Sequence, residues 1–218
     1  MEICTVGGFE EVGKNMTAVK VKDDVFIFDA GLYIPGIVEL QEEHLSEHTN
    51  RLKKGRRGSQ QQYTEKKLRD YGAIPDDRIL DKLGWRDKVR AIFISHAHLD
   101  HVGGVPYIAN RYPGVPIYGT PFTIKVLEAI LEDDKITMNN PLKTIQSDST
   151  QFVQGASEKY QIDFIHTTHS TIHCVFLALH TSEGVFFYGL DLKFDNYPTI
   201  GKPPNYSKMK DLGSKGVK

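Results

Sequence analysis

The sequence predicts an α/β sandwich whose helices lie outside its sheets. Three observations carry that expectation. Two runs, VFIFDAG (25–31) and VRAIFIS (89–95), are continuously apolar, as strands covered on both faces are. Residues 121–133 repeat their apolar side chains at helical spacing. The second half holds three further strand-like runs. Strands with helices after the crossovers, then strands again, make layers of sheet and helix around one core.

Taken in order, EICTV (2–6) opens the chain as a strand, GGFEEVGKN (7–15) is a turn-rich connection, and MTAVKV (16–21) alternates before the strand at 25–29. Residues 39–88 differ. An acidic stretch (Glu39, Glu42, Glu43, Glu47) precedes RLKKGRRGSQQQYTEKKLR (51–69), which has eight Lys or Arg against one Glu. No hydrophobic stripe persists there, so the segment is expected as a partly helical surface insertion. Its cations Arg51, Lys53, Lys54, Arg56, Arg57, Lys66, Lys67 and Arg69 are either a solvated face or a strip of phosphate contacts for nucleic acid. Beyond the strand at 89–95, GGVPYIANRY (103–112) starts a helix and VPIYG (115–119) is a short strand. Thr120 stands at an N-cap and Pro121 at the first helical position. Phe122, Val126, Leu127, Ile130 and Leu131 form the apolar face of helix 121–133. YQIDFIHTTH (160–169), IHCVFLALHT (172–181) and GVFFYGLDL (184–192) read as strands. The tail at 196–218, rich in Pro, Gly and Lys, is expected to end without a closing strand or helix.

A chain of 218 residues, 39% hydrophobic and 25% charged, suits one domain or a large piece of one. The net charge of −1 leaves no global field to attract nucleic acid, so any basic surface is local. Cys4 and Cys174 lie in apolar surroundings with no CxxC partner, and are expected as reduced thiols of a cytoplasmic protein. The N-terminus lacks the basic and apolar regions of a signal peptide, and no apolar run reaches the length of a membrane span.

SHAHLDH (95–101) places three histidines and an aspartate within six positions. Side chains at i and i+2 on a strand point the same way, so His96 and His98 can share one ion. Asp100 and His101 follow in a loop and can turn to a second position, with Ala97, Gly103 and Gly104 leaving room. Imidazole and carboxylate donors suit Zn²⁺ or Mn²⁺, and no thiol pair offers a structural zinc knuckle. More ligands are needed. His169 falls between two apparent strands, where ligands project. Asp191 ends an apolar strand, where a carboxylate is costly unless cations pair with it. Asp29 ends strand 25–29 in the same way and is expected to orient a ligating imidazole. Ser170 and His173 are expected beside the ligands, with His173 open between the centre and its surroundings. His166 is expected to pack or to stand behind a ligand, and His44, His48 and His180 at the surface or in packing.

His96-Ala97-His98-Leu99-Asp100-His101, then His169, then Asp191, resembles the HxHxDH…H…D signature of the metallo-β-lactamase fold. GGFEEVGKNM, FDAGL, ISHAHLDHVGGVPYI, IYGTPFT, TTHS and GLDLKFDN together resemble the RNase J family, of the β-CASP branch of nucleases, and the insertion at 39–88 suggests its archaeal type. The resemblance covers nearly the whole chain. It implies a metallo-β-lactamase αβ/βα sandwich, incomplete at the C-terminal side. Residues 1–218 would be its N-terminal portion, and the β-CASP domain would be absent from this chain.

The ligand set follows from the same resemblance: His96, His98 and His169 for a first Zn²⁺, Asp191 bridging, and Asp100 and His101 as the catalytic pair at a second. The later part of the fold would add one more histidine to that second position. The implied activity is two-metal hydrolysis of single-stranded RNA from a 5′-monophosphate end, 5′-to-3′, with internal cutting in some members. Implied partners are RNA, the β-CASP region or a complementary chain, and a second copy in a homodimer. The isolated chain would be weak or inactive. The family has an acidic residue where this chain has His173, and often GD-F-KFD at 189–195. Two other readings stay open: a non-catalytic RNA-binding or assembly module, and a thioester or lactone hydrolase of the same fold.

Overall fold

Among the described residues, ten strands form two stacked sheets. The first holds β1 (Glu2–Gly7), β2 (Met16–Val21), β3 (Asp24–Phe28), β4 (Val89–Phe93), β5 (Ile117–Gly119) and β6 (Leu142–Thr144), side by side in chain order. The second holds β7 (Ser149–Gln154), β8 (Lys159–His166), β9 (Val175–Thr181) and β10 (Gly184–Tyr188), also in chain order. The computed structural model describes residues 1–53 and 64–217, apart from the side chains of residues 44 and 46–53.

β1, β2 and β3 pair antiparallel, whereas β3, β4, β5 and β6 run parallel. Parallel neighbours need crossovers, and helices supply them. Between β3 and β4 lie α1 (Ile34–Lys53), α2 (Glu65–Asp70) and α3 (Arg78–Lys82); between β4 and β5 lie α4 (Leu99–Val102) and α5 (Val105–Ile108). The β5–β6 crossover is α6 (Pro121–Asp133). The second sheet is antiparallel throughout, closed by α7 (Tyr206–Lys215) on its outer face.

The continuous apolar runs have a simple cause. Alternate residues of β3 and β4 serve two different layers. Val25, Ile27 and Ile92 face the helices, with Leu40, Leu68, Leu80 and Ile108. Phe26, Phe28 and Phe93 face the second sheet, with Tyr160, Phe164 and Phe186. Phe26 meets Tyr160 at 4.8 Å between ring centroids and Phe28 meets Phe186 at 5.0 Å, so aromatic contacts join the sheets. Each such ring, fully buried, contributes about 1.5–3 kcal/mol of transfer free energy. A third apolar layer seats Leu212 of α7 against Ile165, Phe176 and Val185.

Several expectations need correction. The segment 39–88 is not confined to the surface, since Leu40, Leu68, Ile74, Leu80 and Trp85 are all in the core under the first sheet. These residues are too widely spaced for a stripe to show in sequence. The strand at 89–95 stops at Phe93, and the strands at 160–169, 172–181 and 184–192 contract to β8, β9 and β10, because their polar ends are loops. Asp100 and His101 lie in a helical turn, α4, not a loop. The tail does hold a helix. Asn205 caps α7 by accepting from the Lys208 N–H at 3.0 Å, and burial of Leu212 anchors it. Thr120 occupies the N-cap of α6 but its hydroxyl does not cap, donating instead to the His173 carbonyl at 2.9 Å. Phe122 is exposed, and Ile124 is buried in its place. Strands β6 and β7 have no counterpart in the sequence reading. Cys4 and Cys174 are both free thiols.

Candidate metal centre

The chemistry-bearing residues collect beyond the C-terminal ends of β3, β4, β8 and β10. Asp29 follows β3 directly, in the left-handed region at φ 59°, which aspartate tolerates better than most residues. Its carboxylate is fully buried. Oδ1 accepts the Ser95 N–H at 2.7 Å; Oδ2 accepts the Ser95 hydroxyl at 2.8 Å and the His101 Nδ1–H at 2.7 Å. Because Nδ1 of His101 donates to Asp29, its Nε2 is directed outward to the centre.

The segment after β3 also grips α4. Ala30 N–H donates to the His101 carbonyl at 2.9 Å and Leu32 N–H to the Leu99 carbonyl at 2.8 Å. Gly31 is obligatory here: a Cβ would lie 1.6 Å from the Asp100 carbonyl oxygen. Gly104 packs as tightly, its Cβ position lying 2.5 Å from the Gly31 carbonyl oxygen. The sequence expectation that small residues leave room for the chain to fold back on itself holds at Gly104.

Around this scaffold two donor groups form, sharing Asp191. The first is His96, His98, His169 and Asp191; the second is Asp100, His101 and Asp191; within each, all ligand atoms lie within 4.8 Å of one another. Nε2 of His96 is 3.1 Å, and Nε2 of His169 3.2 Å, from Nδ1 of His98. Oδ2 of Asp191 lies 3.8 Å from Nε2 of His96, 3.4 Å from Nε2 of His169 and 3.4 Å from Nε2 of His101. Oδ2 of Asp100 is 3.5 Å from Nε2 of His101. Four donors about 2.0–2.1 Å from one tetrahedral ion are about 3.3 Å apart. The observed spacings therefore fit divalent cations, and the imidazole and carboxylate donors fit Zn²⁺ or Mn²⁺.

Electrostatics agree. Burial, then the charge on His101, pushes His96 down to about 3, so it is a neutral donor. Burial also lowers His169. For His101, burial acts downward, but Asp29, Asp191 and Asp100 outweigh it and raise the imidazole to about 10. Its hydrogen bond to His101 holds Asp191 down at about 2. Without a metal ion, a proton on His101 thus offsets part of the negative charge around it, where cations would otherwise serve.

His169 and Asp191 stand on loops rather than strands. These loops are tied together: Lys193 N–H donates to the Thr168 carbonyl at 2.7 Å, and the Thr168 hydroxyl donates back to the Lys193 carbonyl. Beside His169 a cleft of about 500 Å³ is lined by Thr168, Ser170, Ile172, Lys193, Thr199 and Ile200, among others.

The other candidates divide. Ser170 Oγ lies 3.3 Å from His98 Nε2, beside the first group. His173 is exposed, at φ 59°, and its ring does not join the cluster; only its carbonyl is engaged, by Thr120. His166 packs, with Nε2–H donating to the Lys202 carbonyl at 2.9 Å, and His180 pairs with Asp163 at 2.8 Å. His44 and His48 have side chains outside the described residues. Among the basic candidates, Lys54, Arg56, Arg57 and the side chains of Arg51 and Lys53 also lie outside them. Lys66 is exposed and Lys67 half-buried on α2. Arg69 is not available to a phosphate: its side chain is 4% exposed and pairs with Glu65 and the buried Asp77. Two residues at the centre were missed in sequence, Ser95 and Asn15. Both sit inside motifs, SHAHLDH and GGFEEVGKNM, where no periodicity marks a role.

The chain is 38% identical over its whole length to Ribonuclease J of Pyrococcus abyssi and 35% identical to Ribonuclease J of Methanocaldococcus jannaschii, spanning 44% of each. It thus covers less than half the length of the relatives it matches. Among solved structures, a metallo-beta-lactamase HARLDQ motif mutant of Cronobacter sakazakii superposes with a TM-score of 0.52 at 15% identity, over 98% of this chain and 69% of that one. The metallo-beta-lactamase superfamily pattern matches residues 10–178, including every residue of both donor groups except Asp191. With its two sheets, outer helices and histidine–aspartate cluster, this chain belongs to the metallo-beta-lactamase superfamily.

Proposed function

We propose that this chain carries the metal centre of an RNase J-type ribonuclease acting on single-stranded RNA in the cytoplasm, with a 5′-monophosphate preferred. The observation that carries the reading is Asp191 shared between two donor groups, joined to full-length similarity with two archaeal ribonucleases J. His96, His98, His169 and Asp191 would hold one divalent cation, and Asp100, His101 and Asp191 the other, Zn²⁺ first and Mn²⁺ as the alternative. Cations bound there supply acidification of water and neutralisation of charge on phosphoryl oxygens. The chain's own residues do the positioning. Asp29 orients His101 and Ser95, and Ser95 Oγ lies 3.0 Å from Nδ1 of His96. Thr168 holds the two ligand loops at one distance. The cleft beside His169 offers hydroxyls, apolar side chains and the Lys193 ammonium, which pairs at 3.0 Å with Asp195 of the same lining, a mixed surface that a nucleotide can meet.

The relatives' greater length fits a β-CASP region followed by a later part of the fold that adds a further second-position ligand and completes a groove, and the chain alone is then weak. The test is hydrolysis of 5′-monophosphorylated RNA with Zn²⁺ or Mn²⁺, by this chain alone and with a β-CASP portion supplied. Hydrolysis that depends on the metal and is lost in His98→Ala supports the reading. RNA affinity without cleavage, unchanged in His98→Ala, points to a binding module. Turnover of a thioester or lactone with RNA left intact overturns the proposal.

A further inference from the structure

The motif GGFEEVGKNM has no part in the ligand set, yet it brings one side chain against the second donor group. Asn15 stands at the entrance to β2. Its Nδ2 lies 3.0 Å from the Asp100 carbonyl oxygen, 3.4 Å from Asp100 Oδ2 and 3.1 Å from His101 Nε2. The last three spacings of this corner, 3.4, 3.1 and the 3.5 Å between Asp100 Oδ2 and His101 Nε2, close a triangle.

The backbone of Asn15 is pinned on both sides. Its N–H donates to the same Asp100 carbonyl at 3.0 Å, and its carbonyl accepts from Gly31 N–H at 3.1 Å. Gly8 covers the other end of the amide. At φ +84° it has no Cβ, and one built there would fall 2.3 Å from Asn15 Oδ1. The amide is therefore held with its nitrogen toward Asp100. That orientation gives the amide nitrogen two oxygen acceptors of Asp100, whereas the opposite one would set Oδ1 against a carbonyl oxygen. Two N–H hydrogens face a carbonyl and a carboxylate of one residue, so Asn15 fixes both the path of α4 and the rotamer of its half-buried acid.

We infer that Asn15 is a positioning residue for the second cation position, holding Asp100 Oδ2 at bonding distance from a cation that His101 Nε2 and Asp191 also reach. The inference rests on the two-cation reading above. Partners behind a ligand typically govern metal affinity by 10–100-fold. Titration of the metal-free chain with Zn²⁺, followed by calorimetry and by metal content after gel filtration, tests it. The intact chain is expected to take up two ions. Asn15→Ala is expected to take the first with affinity unchanged within about threefold and the second at least about tenfold more weakly. The retained first ion is the control for folding. Equal affinities in Asn15→Ala and the intact chain overturn the inference, as does loss of both ions together, which would mark Asn15 as a general support of the fold. If the intact chain itself takes up one ion or none, the two-cation reading fails instead.

Discussion

The two halves of the centre are built differently. His101, on a helical turn gripped by backbone bonds from the segment that follows β3, and Asp29, at the start of that segment, are fully buried. His169 and Asp191 project from loops and are part exposed, with Asp191 side-chain exposure at 39%. One half is as rigid as the sheet beneath it, and the other depends on two loops holding each other. The difference teaches which errors the site tolerates. Damage on the buried side should reach the fold, whereas damage on the loop side should reach metal binding and leave the fold standing.

The sharpest break of that comparison is Asp191→Ala. Asp191 is the one ligand both groups share, so its loss should remove both ions and reduce hydrolysis by orders of magnitude, with the metal-free thermal midpoint nearly unchanged. Metal content and a melting curve on the same sample check it. Asp29→Ala should do the reverse. It strips a buried carboxylate from three donors and takes from the charged His101 its shortest, fully buried partner, costing about 3–5 kcal/mol of stability, read from a denaturant titration. A normal unfolding midpoint there would end the distinction between the halves.

A third prediction concerns pH. His101 is raised from its ordinary 6.5 to about 10 in the folded, metal-free chain. A group held more basic by folding contributes stability that is fully present below pH 6.5 and is lost as pH rises through about 10. Metal-free protein should therefore melt at lower temperature as pH climbs from 7 to 10, and His101→Gln should flatten that slope. Zn²⁺ binding at the second group should strengthen over the same interval, because the ion displaces the proton. The smallest effect belongs to the loops. Thr168→Val removes the two hydrogen bonds of that hydroxyl, to the Lys193 carbonyl and from the Asp195 N–H, and should cost about 1–2 kcal/mol, with a weaker first ion as its visible result.

Similar reasoning explains what could be read early. SHAHLDH announced a metal centre because imidazoles are scarce and five of the six ligands here are histidines or lie among them. His169 and Asp191 were reachable as polar residues ending apolar runs. His173, left open by the sequence, stands exposed in a left-handed turn at φ 59° and belongs to neither donor group. Arg69 looked like one more cation in a basic strip, until Asp77, eight residues on, proved to be its buried partner. Asn15 carried no signal at all. An amide in a glycine-rich turn gains a role only from the carbonyl and carboxylate that come to face it.

Local sequence therefore determined most of the strands, the layered architecture and the identity of the donors, because side-chain period and metal chemistry are properties of a few neighbouring residues. Tertiary structure alone decided which donors meet, which cations are already spent inside the fold, and which carboxylate is held by Asn15. The meeting of the donors depends on contacts such as His101 with Asp29, 72 positions apart, and Asn15 with Asp100, 85 apart, which no short window of sequence contains.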